Sequence, residues 1–129
     1  MENDCARKDG LYLGSRSDTE FFVEPGFQKA LKSLDISSRA KIMVLINRFQ
    51  EVWRETTEDL PAGYDFKIID RNPTIHQIRL GSDYRAILMF LNGIAECHWI
   101  TVFKKGNQAQ GIASAKLQAR ALWNERGEK

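Results

Sequence analysis

The sequence predicts an α+β domain in which a helical hairpin packs on one face of a four-stranded, mainly antiparallel sheet. Two observations support this fold class. Apolar residues recur at helical spacing through the first half of the chain, whereas the second half changes to the two-residue alternation of strands. The length of 129 residues, with 43% hydrophobic side chains, suits a single domain with one core.

The N-terminal part is predicted to hold one strand and a short helix. Residues 1–19 are polar without a periodic apolar pattern, so we expect a flexible extension before a single domain at residues 20–129. An aromatic and β-branched run at residues 21–23, halted by Pro25 and Gly26, predicts the first strand. The first helix follows, with an apolar face formed by Phe27, Ala30, Leu31 and Leu34.

A second, longer helix is predicted from the capping residues near Asp35 to Glu58 and Asp59, before a turn that begins at Pro61. Its apolar face is formed by Ile42, Leu45, Ile46, Phe49, Val52 and Trp53. We expect these aromatic residues in the core rather than as a stacking platform. Because the turn between the two helices is tight, the helices form an antiparallel hairpin.

The second half of the chain predicts a three-stranded antiparallel meander. Residues 75–80 alternate between polar and apolar side chains, and residues 84–91 are strongly apolar. Asn92 and Gly93 match a two-residue hairpin turn with positive φ, after which residues 94–103 return antiparallel.

A terminal helix is predicted at residues 113–124, which are rich in good helix formers. We expect Trp123 to dock this helix on the sheet and Trp99 to pack beneath the helical hairpin. Because the hairpin covers only one face of the sheet, a functional site is expected on the other, partly free face.

The formal charge of +2 hides an uneven distribution of charged residues. Residues 1–60 hold nine bases and eleven acids, whereas residues 61–129 hold ten bases and six acids. Between Arg71 and Arg120, seven bases face two acids. A basic half of this kind is typical of a small protein that contacts the phosphates of nucleic acids.

Other features exclude several classes of protein. No uncharged run approaches the roughly 20 apolar residues of a membrane span, and the first residues are acidic where a secretory signal is basic. We therefore expect a cytoplasmic protein. Cys5 and Cys97 lie far apart, which favours reduced thiols over a disulfide framework or a zinc site. No glycine-rich phosphate loop or recognisable Ser-His-Asp motif occurs in the sequence.

A set of basic residues in the meander is the main candidate for a site. Gln77 and Arg79 share one strand face, and Arg85 begins the next strand after a short turn. Lys104 and Lys105 end the strand that follows. We expect these groups to converge on one groove that holds phosphates. The alternative is that they are solvated residues that keep the sheet soluble and its edges unpaired.

At this point the residues carry a family resemblance. The string IHQIRLGSDYRAIL at residues 75–88 resembles the strand, turn, Tyr-Arg, strand signature of the RelE/ParE toxin superfamily, including its phage-associated HigB-like members. The string VFKK at residues 102–105 resembles the basic end of the following strand in that family. The resemblance covers residues 21–126 and implies a RelE-like β-α-α-β-β-β-α fold.

The resemblance implies the toxin of a type II toxin–antitoxin pair, with a cognate antitoxin protein as its partner. For the RelE and HigB branches it implies an mRNA interferase, an endoribonuclease that cuts mRNA in the ribosomal A site without a metal or other cofactor. The RNA 2′-hydroxyl attacks the adjacent phosphate, and basic side chains offset the charge of the transition state. Neither a membrane nor a small-molecule cofactor is expected as a partner.

Matched position by position, the resemblance implies catalytic roles for Arg79, Arg85 and Lys105. The sequence departs from the family pattern at two places. Gln77 stands where RelE has a lysine, and residues 107–112 contain neither Tyr nor His where RelE carries a functional tyrosine. A proton-transfer group is therefore expected from elsewhere in the chain.

The two histidines are the candidates by side-chain type. His98 is the candidate for proton transfer, on the condition that its strand face is the open one. His76 alternates with Gln77, so we expect it to point to the helix-covered face of the sheet. Contacts to RNA are expected from Gln77, Lys104, Arg71 and Lys116.

Three functions remain open from the sequence. The first is a ribosome-dependent mRNA interferase, the second a ParE-like inhibitor of DNA gyrase, and the third a non-catalytic relative that only binds a partner protein. The glutamine at position 77 and the missing tyrosine favour the second and third. The clustering of Arg79, Arg85 and two adjacent lysines favours the first.

Overall fold

The computed structural model describes residues 11–16, 19–53, 65–71, 73–93 and 95–126, which form an α+β structure. Its elements alternate between strands and helices in an order close to the predicted one. They are β1 (Leu11–Arg16), β2 (Thr19–Val23), α1 (Pro25–Lys32), α2 (Ile36–Val52), β3 (Lys67–Arg71), β4 (Thr74–Leu80), β5 (Tyr84–Leu91), β6 (Glu96–Lys104) and α3 (Gln108–Arg126), with a 3-10 turn at Lys105–Asn107.

The six strands form one mixed sheet in the order β1-β2-β6-β5-β4-β3. All neighbouring strands are antiparallel except β2 and β6, which run parallel. The predicted meander is confirmed as β4, β5 and β6. The prediction of four strands was wrong because β1 and β3 add one edge strand each. Gly14 interrupts the apolar pattern of β1 at a bulge with a φ of 109°, and β3 is rich in charged residues, so neither segment has a clear strand signature.

The turn between β5 and β6 differs in length from the prediction. Asn92 and Gly93 have the expected positive φ angles, 56° and 73°. However, Leu91 pairs with Glu96, so residues 92–95 lie between the strands in place of a two-residue turn. The strand β6 accordingly begins two residues later than expected.

The helix α2 begins after Asp35, whose carboxylate accepts a hydrogen bond from the Ser38 backbone N–H at 2.8 Å, as its capping role predicts. The predicted continuation of α2 beyond Val52 is wrong at Trp53, which has extended backbone angles. Trp53 leaves the helix and turns into the core, where its indole N–H donates to the Thr19 hydroxyl at 3.0 Å. The rest of the predicted continuation, residues 54–59, lies outside the described residues.

Each face of the sheet carries its own core. The helices α1 and α2 cover one face, and their core includes Phe49, Trp53 and Trp99, all buried as predicted. On the other face α3 packs through Ala115 and Ala119 against apolar residues of β4, β5 and β6. In the described part of the chain no helix combines the length and apolar character that crossing a membrane needs.

The helix α3 begins five residues earlier than the sequence predicted. The predicted loop at residues 104–111 contains Gly111, which lowers helix propensity. In the structure Gly111 lies against the ring of Phe103, where a Cβ atom would overlap the ring. The glycine therefore allows the first turns of α3 to lie close to β6, and Trp123 packs against the same core near the other end.

Candidate functional site

Two arginines face each other where β4 and β5 meet at their connecting turn. Arg79 and Arg85 are directly paired in the antiparallel register, and Phe103 of β6 pairs with Arg85. Side chains directly opposite each other in such a pair have Cβ atoms about 4.5–5.5 Å apart. The structure thus brings together the two arginines that the sequence predicted, and we call them the arginine pair.

The arginine pair lies on the sheet face that α3 partly covers. Along β4, Arg79 alternates with Ile78 and Leu80, which both belong to the core beneath α1 and α2. Its neighbours two and four residues back, Gln77 and Ile75, lie on the α3 side. The arginine pair therefore lies on the sheet face opposite the helical hairpin.

Arg85 is buried and Arg79 is exposed. Only 7% of Arg85 is exposed, and its Nη1 donates a hydrogen bond to the Tyr84 carbonyl oxygen at 3.1 Å. Among the described residues no carboxylate forms an ion pair with either arginine. Two like charges directly across a strand pair destabilise a sheet, and a buried charge without a counter-charge costs further free energy. An anion bound between the guanidinium groups would relieve both costs.

Uncharged polar side chains lie next to the arginine pair. Gln77 is only 2% exposed, and the side-chain amide of Gln108 donates to its Oε1 at 3.4 Å. Thr101 of β6 is also buried. It pairs with Ile87 of β5, which pairs with Gln77 on its other side. These groups offer hydrogen-bond donors and acceptors beside the guanidinium groups without adding negative charge.

Gln108 is a site residue that the sequence reasoning missed. The sequence predicts a loop at this position, because the predicted terminal helix begins at residue 113. The sequence does contain a sign that the helix begins here, because residues 108–110, just after β6, are good helix formers. As the first residue of α3, Gln108 also puts the positive end of the helix dipole near Gln77, and the first turn of α3 contains no acid.

The two adjacent lysines are placed by different contacts. Lys105 is exposed, and its backbone N–H donates to the Asp83 carbonyl oxygen at 2.8 Å, which holds it beside the turn that joins the strands of the arginine pair. Lys104 lies near the start of α2, on the helical-hairpin side. There the pKa of the Asp35 carboxyl is lowered, mainly by its hydrogen bonds from Ser38 and to a smaller extent by the charge of Lys104.

Two further residues expected to contact RNA lie away from the arginine pair. Arg71 ends β3 and pairs with Thr74, at the opposite end of β4 from Arg79. Lys116 is exposed on α3, eight residues beyond Gln108, which corresponds to about 12 Å along the helix axis. Of the residues predicted to form one groove, the structure therefore brings together Arg79, Arg85, Gln77 and the Lys105 backbone.

His98 is fully buried in a network of charged groups at the other end of β6. Its Nδ1 lies 2.7 Å from Glu24 Oε2, and its Nε2 lies 2.8 Å from Glu96 Oε1. Arg126 Nη2 lies 3.1 Å from each oxygen of Glu96. The pKa of the Glu96 carboxyl is lowered, first by the hydrogen bond from His98 and then by Arg126, with burial opposing both.

This network connects β2, β6 and the end of α3. His98 and Phe103 are five positions apart in β6, so His98 lies about 17 Å along the strand from the arginine pair. The structure therefore does not bring His98 to the arginine pair, and the condition of an open strand face is not met at this buried residue.

His76 lies on the helical-hairpin side of the sheet, as predicted. Its ring stacks on Phe66 at a centroid distance of 4.5 Å and meets Phe90 edge-on at 5.5 Å. Burial, with a smaller effect from the charge of Arg71, lowers the pKa of His76 to about 4. The ring is therefore neutral at neutral pH.

Comparison with known proteins adds no family to this description. A scan of the sequence against protein-family models finds no match, and a search of curated proteins finds none either. The fold and the site define the chain as an α+β domain with a buried arginine, opposed by a second arginine, at one end of its sheet.

Proposed function

We propose that this chain is the toxin of a type II toxin–antitoxin system, of the RelE/HigB kind, and acts as a metal-independent mRNA endoribonuclease in the ribosomal A site. The observation that carries the proposal is the arginine pair. Arg85 is buried opposite Arg79 without a carboxylate partner among the described residues, which is the arrangement expected of a site that awaits a phosphate.

The order of elements supports the same proposal. Without the two edge strands, the chain runs β2-α1-α2-β4-β5-β6-α3, and this is the β-α-α-β-β-β-α order that the RelE resemblance implies. The four corresponding strands are neighbours in the sheet. In this proposal β1 and β3 are additions at the two edges of the family fold.

The arginine pair supplies the electrostatic part of the proposed reaction. The 2′-hydroxyl of the RNA gives up its proton to water as it attacks the adjacent phosphorus and forms a 2′,3′-cyclic phosphate. The bond to the 5′-oxygen of the next nucleotide breaks, and that oxygen takes up a proton from water and leaves as a hydroxyl. Negative charge grows on the non-bridging oxygens during this attack. Guanidinium groups of Arg85 and Arg79 bind those oxygens and stabilise the charge.

The neighbouring groups have separate roles in the proposal. Lys105 contacts a flanking phosphate from its exposed position beside the Asp83 turn. Gln77 and Gln108 form hydrogen bonds with the ribose that carries the attacking hydroxyl, since amides both donate and accept. The cognate antitoxin is the proposed protein partner, and its co-expression is expected to restore growth.

The test is induction of the chain in bacteria, followed by mapping of transcript 5′ ends and a supercoiling assay. We expect cleavage sites in phase with codons. Arg85→Ala is expected to lower the cleavage rate by about two orders of magnitude, because it removes a transition-state hydrogen-bond donor. The matched control is Arg48→Ala, which removes an exposed arginine on α2, away from the site.

Two results would contradict the endoribonuclease. Growth arrest with intact transcripts and blocked supercoiling would assign the chain to gyrase inhibition. Intact transcripts without growth arrest would leave a non-catalytic relative. Equal cleavage by the wild type and Arg85→Ala would remove the arginine pair from the mechanism.

A further inference from the structure

An apolar stripe runs along the outer side of α2. Ile36, Ala40 and Val44 follow one another at intervals of four residues, so they lie on one side of the helix over about 12 Å of its axis. The residues that α2 buries against the sheet, which include Ile42 and Ile46, lie on the other side. We call Ile36, Ala40 and Val44 the α2 stripe.

The α2 stripe differs in its exposure from the rest of the described surface. Ile36 is 76% exposed and Val44 is 48% exposed, with the exposed Ala40 between them. The other large apolar side chains that are exposed in the described residues lie one each on β1, β3 and α3. Single apolar residues are common on protein surfaces, whereas neighbouring ones that share a face are typical of a contact surface.

The helix itself does not favour isoleucine or valine at these positions. Both side chains are β-branched, and they lower helix propensity because they lose rotamer freedom. On the buried side of α2 packing offsets this cost, as it does for Ile42 and Ile46. Ile36 and Val44 belong to neither core, so they gain such packing when a further surface covers the stripe.

Basic residues lie along both edges of the α2 stripe. Arg39 and Lys41 flank Ala40 in the sequence, so each lies about 100° around the helix from it, on opposite sides. Among the described residues no carboxylate forms an ion pair with either base. Residues 25–52 hold five bases and two acids, and one of these acids, Asp35, caps α2. The charge around the stripe therefore favours an acidic partner.

The same charges disfavour a second copy of this chain as the partner. In a symmetric pair of antiparallel α2 helices the Lys41 edges of both copies would meet. In a parallel pair the Lys41 edge would meet the Arg39 edge of the other copy. Both arrangements place base against base, which costs free energy.

The shape of the α2 stripe suits another helix. Side chains four residues apart form a ridge that packs into the groove between two ridges of a facing helix. The small Ala40 lies in the middle of the ridge, between the larger Ile36 and Val44, and allows the two helix axes to come close. An amphipathic helix presents apolar residues at matching intervals of three and four.

We propose that the α2 stripe binds an amphipathic helix of a second protein, with apolar side chains on Ile36 and Val44 and acidic side chains beside Arg39 and Lys41. The inference goes beyond the proposed function, because this contact needs neither RNA nor the arginine pair. The helix α2 covers the opposite face of the sheet from that pair.

The experiment is an NMR titration of the isotope-labelled full-length chain with two model peptides. Both peptides are amphipathic helices of about three heptads with leucine on the apolar face. One peptide carries glutamate along both edges of that face, and the other carries lysine. We expect the glutamate peptide to shift the backbone amide signals of residues 36–44, and the lysine peptide to bind at least several-fold more weakly.

The variants are Ile36→Ser, Val44→Ser and Lys41→Glu. Each serine is expected to weaken binding of the glutamate peptide about tenfold, because a buried apolar side chain is lost. Serine has about the helix propensity of isoleucine and valine, so both variants should fold. Lys41→Glu is expected to weaken binding about threefold, as befits an exposed ion pair.

Matched controls lie on α3, on the other face of the sheet. Leu117→Ser removes an apolar side chain that is 74% exposed, and Lys116→Glu reverses an exposed charge. Both variants are expected to bind the glutamate peptide as the wild type does. Equal losses in the α3 controls and the α2 variants would show unspecific binding and overturn the proposal.

Four further results would overturn the proposal. The first is no binding of the glutamate peptide, and the second is equal binding of both peptides. The third is sedimentation of the wild type as a dimer that Ile36→Ser converts to a monomer, which would assign the stripe to a second copy. The fourth is a lower unfolding midpoint in Ile36→Ser and Val44→Ser than in the wild type, which would show that another part of the same chain covers the stripe.

Discussion

At the scale of single residues, the two histidines show how different neighbours give one side-chain type opposite properties. His98 lies between carboxylates of Glu24 and Glu96, 2.7 Å and 2.8 Å from its two ring nitrogens. His76 lies between aromatic rings, and burial keeps it neutral. The polar contacts of His98 connect separate elements, whereas His76 contributes apolar contact.

His76 makes the stability of the fold depend on pH. Its pKa falls from the usual 6.5 to about 4 on folding, so the unfolded chain binds a proton more readily than the folded chain between these values. The contribution of His76 to the free energy of unfolding is therefore complete above pH 6.5. It is lost progressively as the pH falls from 6.5 to about 4.

The measurement is urea unfolding of the wild type and His76→Phe between pH 4 and pH 7. Phenylalanine keeps an aromatic ring to stack on Phe66 and removes the titrating group. We expect the wild type to lose more stability than the variant across this range. Parallel pH profiles would contradict the role of His76, because the remaining titrating groups are the same in both chains.

At the scale of elements, the helix α3 is held at both ends by different kinds of contact. Near its start, Gly111 lies against the ring of Phe103. At its end, Arg126 lies within hydrogen-bond distance of Glu96 on β6. The first contact holds α3 close to the arginine pair, and the second connects it to the His98 network.

Substitution of Gly111 tests the close approach of α3 to β6. Gly111→Ala improves helix propensity but forces a Cβ into the ring of Phe103. We expect a net loss of about 1 kcal/mol in the free energy of unfolding, measured by urea denaturation. The control Gly26→Ala meets only the end of the flexible Gln118 side chain and is expected to change stability by less than about 0.5 kcal/mol. Equal stability of the two variants would contradict the tight contact.

The sequence predicted strands best where polar and apolar side chains alternate, so that each face of the strand carries one kind of side chain. The alternation along β4 and the Asn92-Gly93 pair were sufficient to place the meander. The end of α2 was not predictable, because Trp53 fits the helical period and leaves the helix only for a distant partner, Thr19. Tertiary contacts of this kind do not appear in a local pattern.

The candidate site was predictable to the extent that it depends on local geometry. A three-residue turn places Arg79 and Arg85 opposite each other in any tight hairpin. The position of His98 depends on a bulge in β6, where the register shifts opposite Ile87 and Leu88. This extra residue reverses the face of every earlier side chain in β6, and nothing in the sequence marks it.

At the scale of the whole molecule, the sheet order separates a central region from two edges. The strands β5 and β6 have neighbours on both sides, whereas β1 and β3 are paired on one side only. Resistance to opening should therefore decrease from the centre of the sheet towards both edges.

Native-state hydrogen exchange measures this gradient. We expect backbone amides in the middle of β5 and β6 to exchange most slowly, through global unfolding, and those of β1 and β3 to exchange faster by local opening. Protection of β3 equal to that of β5 would contradict the gradient. Amides of β2 are expected to be intermediate, since both β1 and β6 flank it.

The parallel pairing of β2 with β6 also sets an order of events during synthesis. The hairpin of β4 and β5 can bring Arg79 and Arg85 together as soon as both strands have left the ribosome. The strand β6 and the helix α3 emerge after this hairpin, and they supply Phe103, Thr101 and Gln108 around it. Because β6 is also the partner of β2, a nascent chain that lacks it has neither a continuous sheet nor an enclosed arginine pair. The site therefore has its final form only after β6 and α3 have emerged.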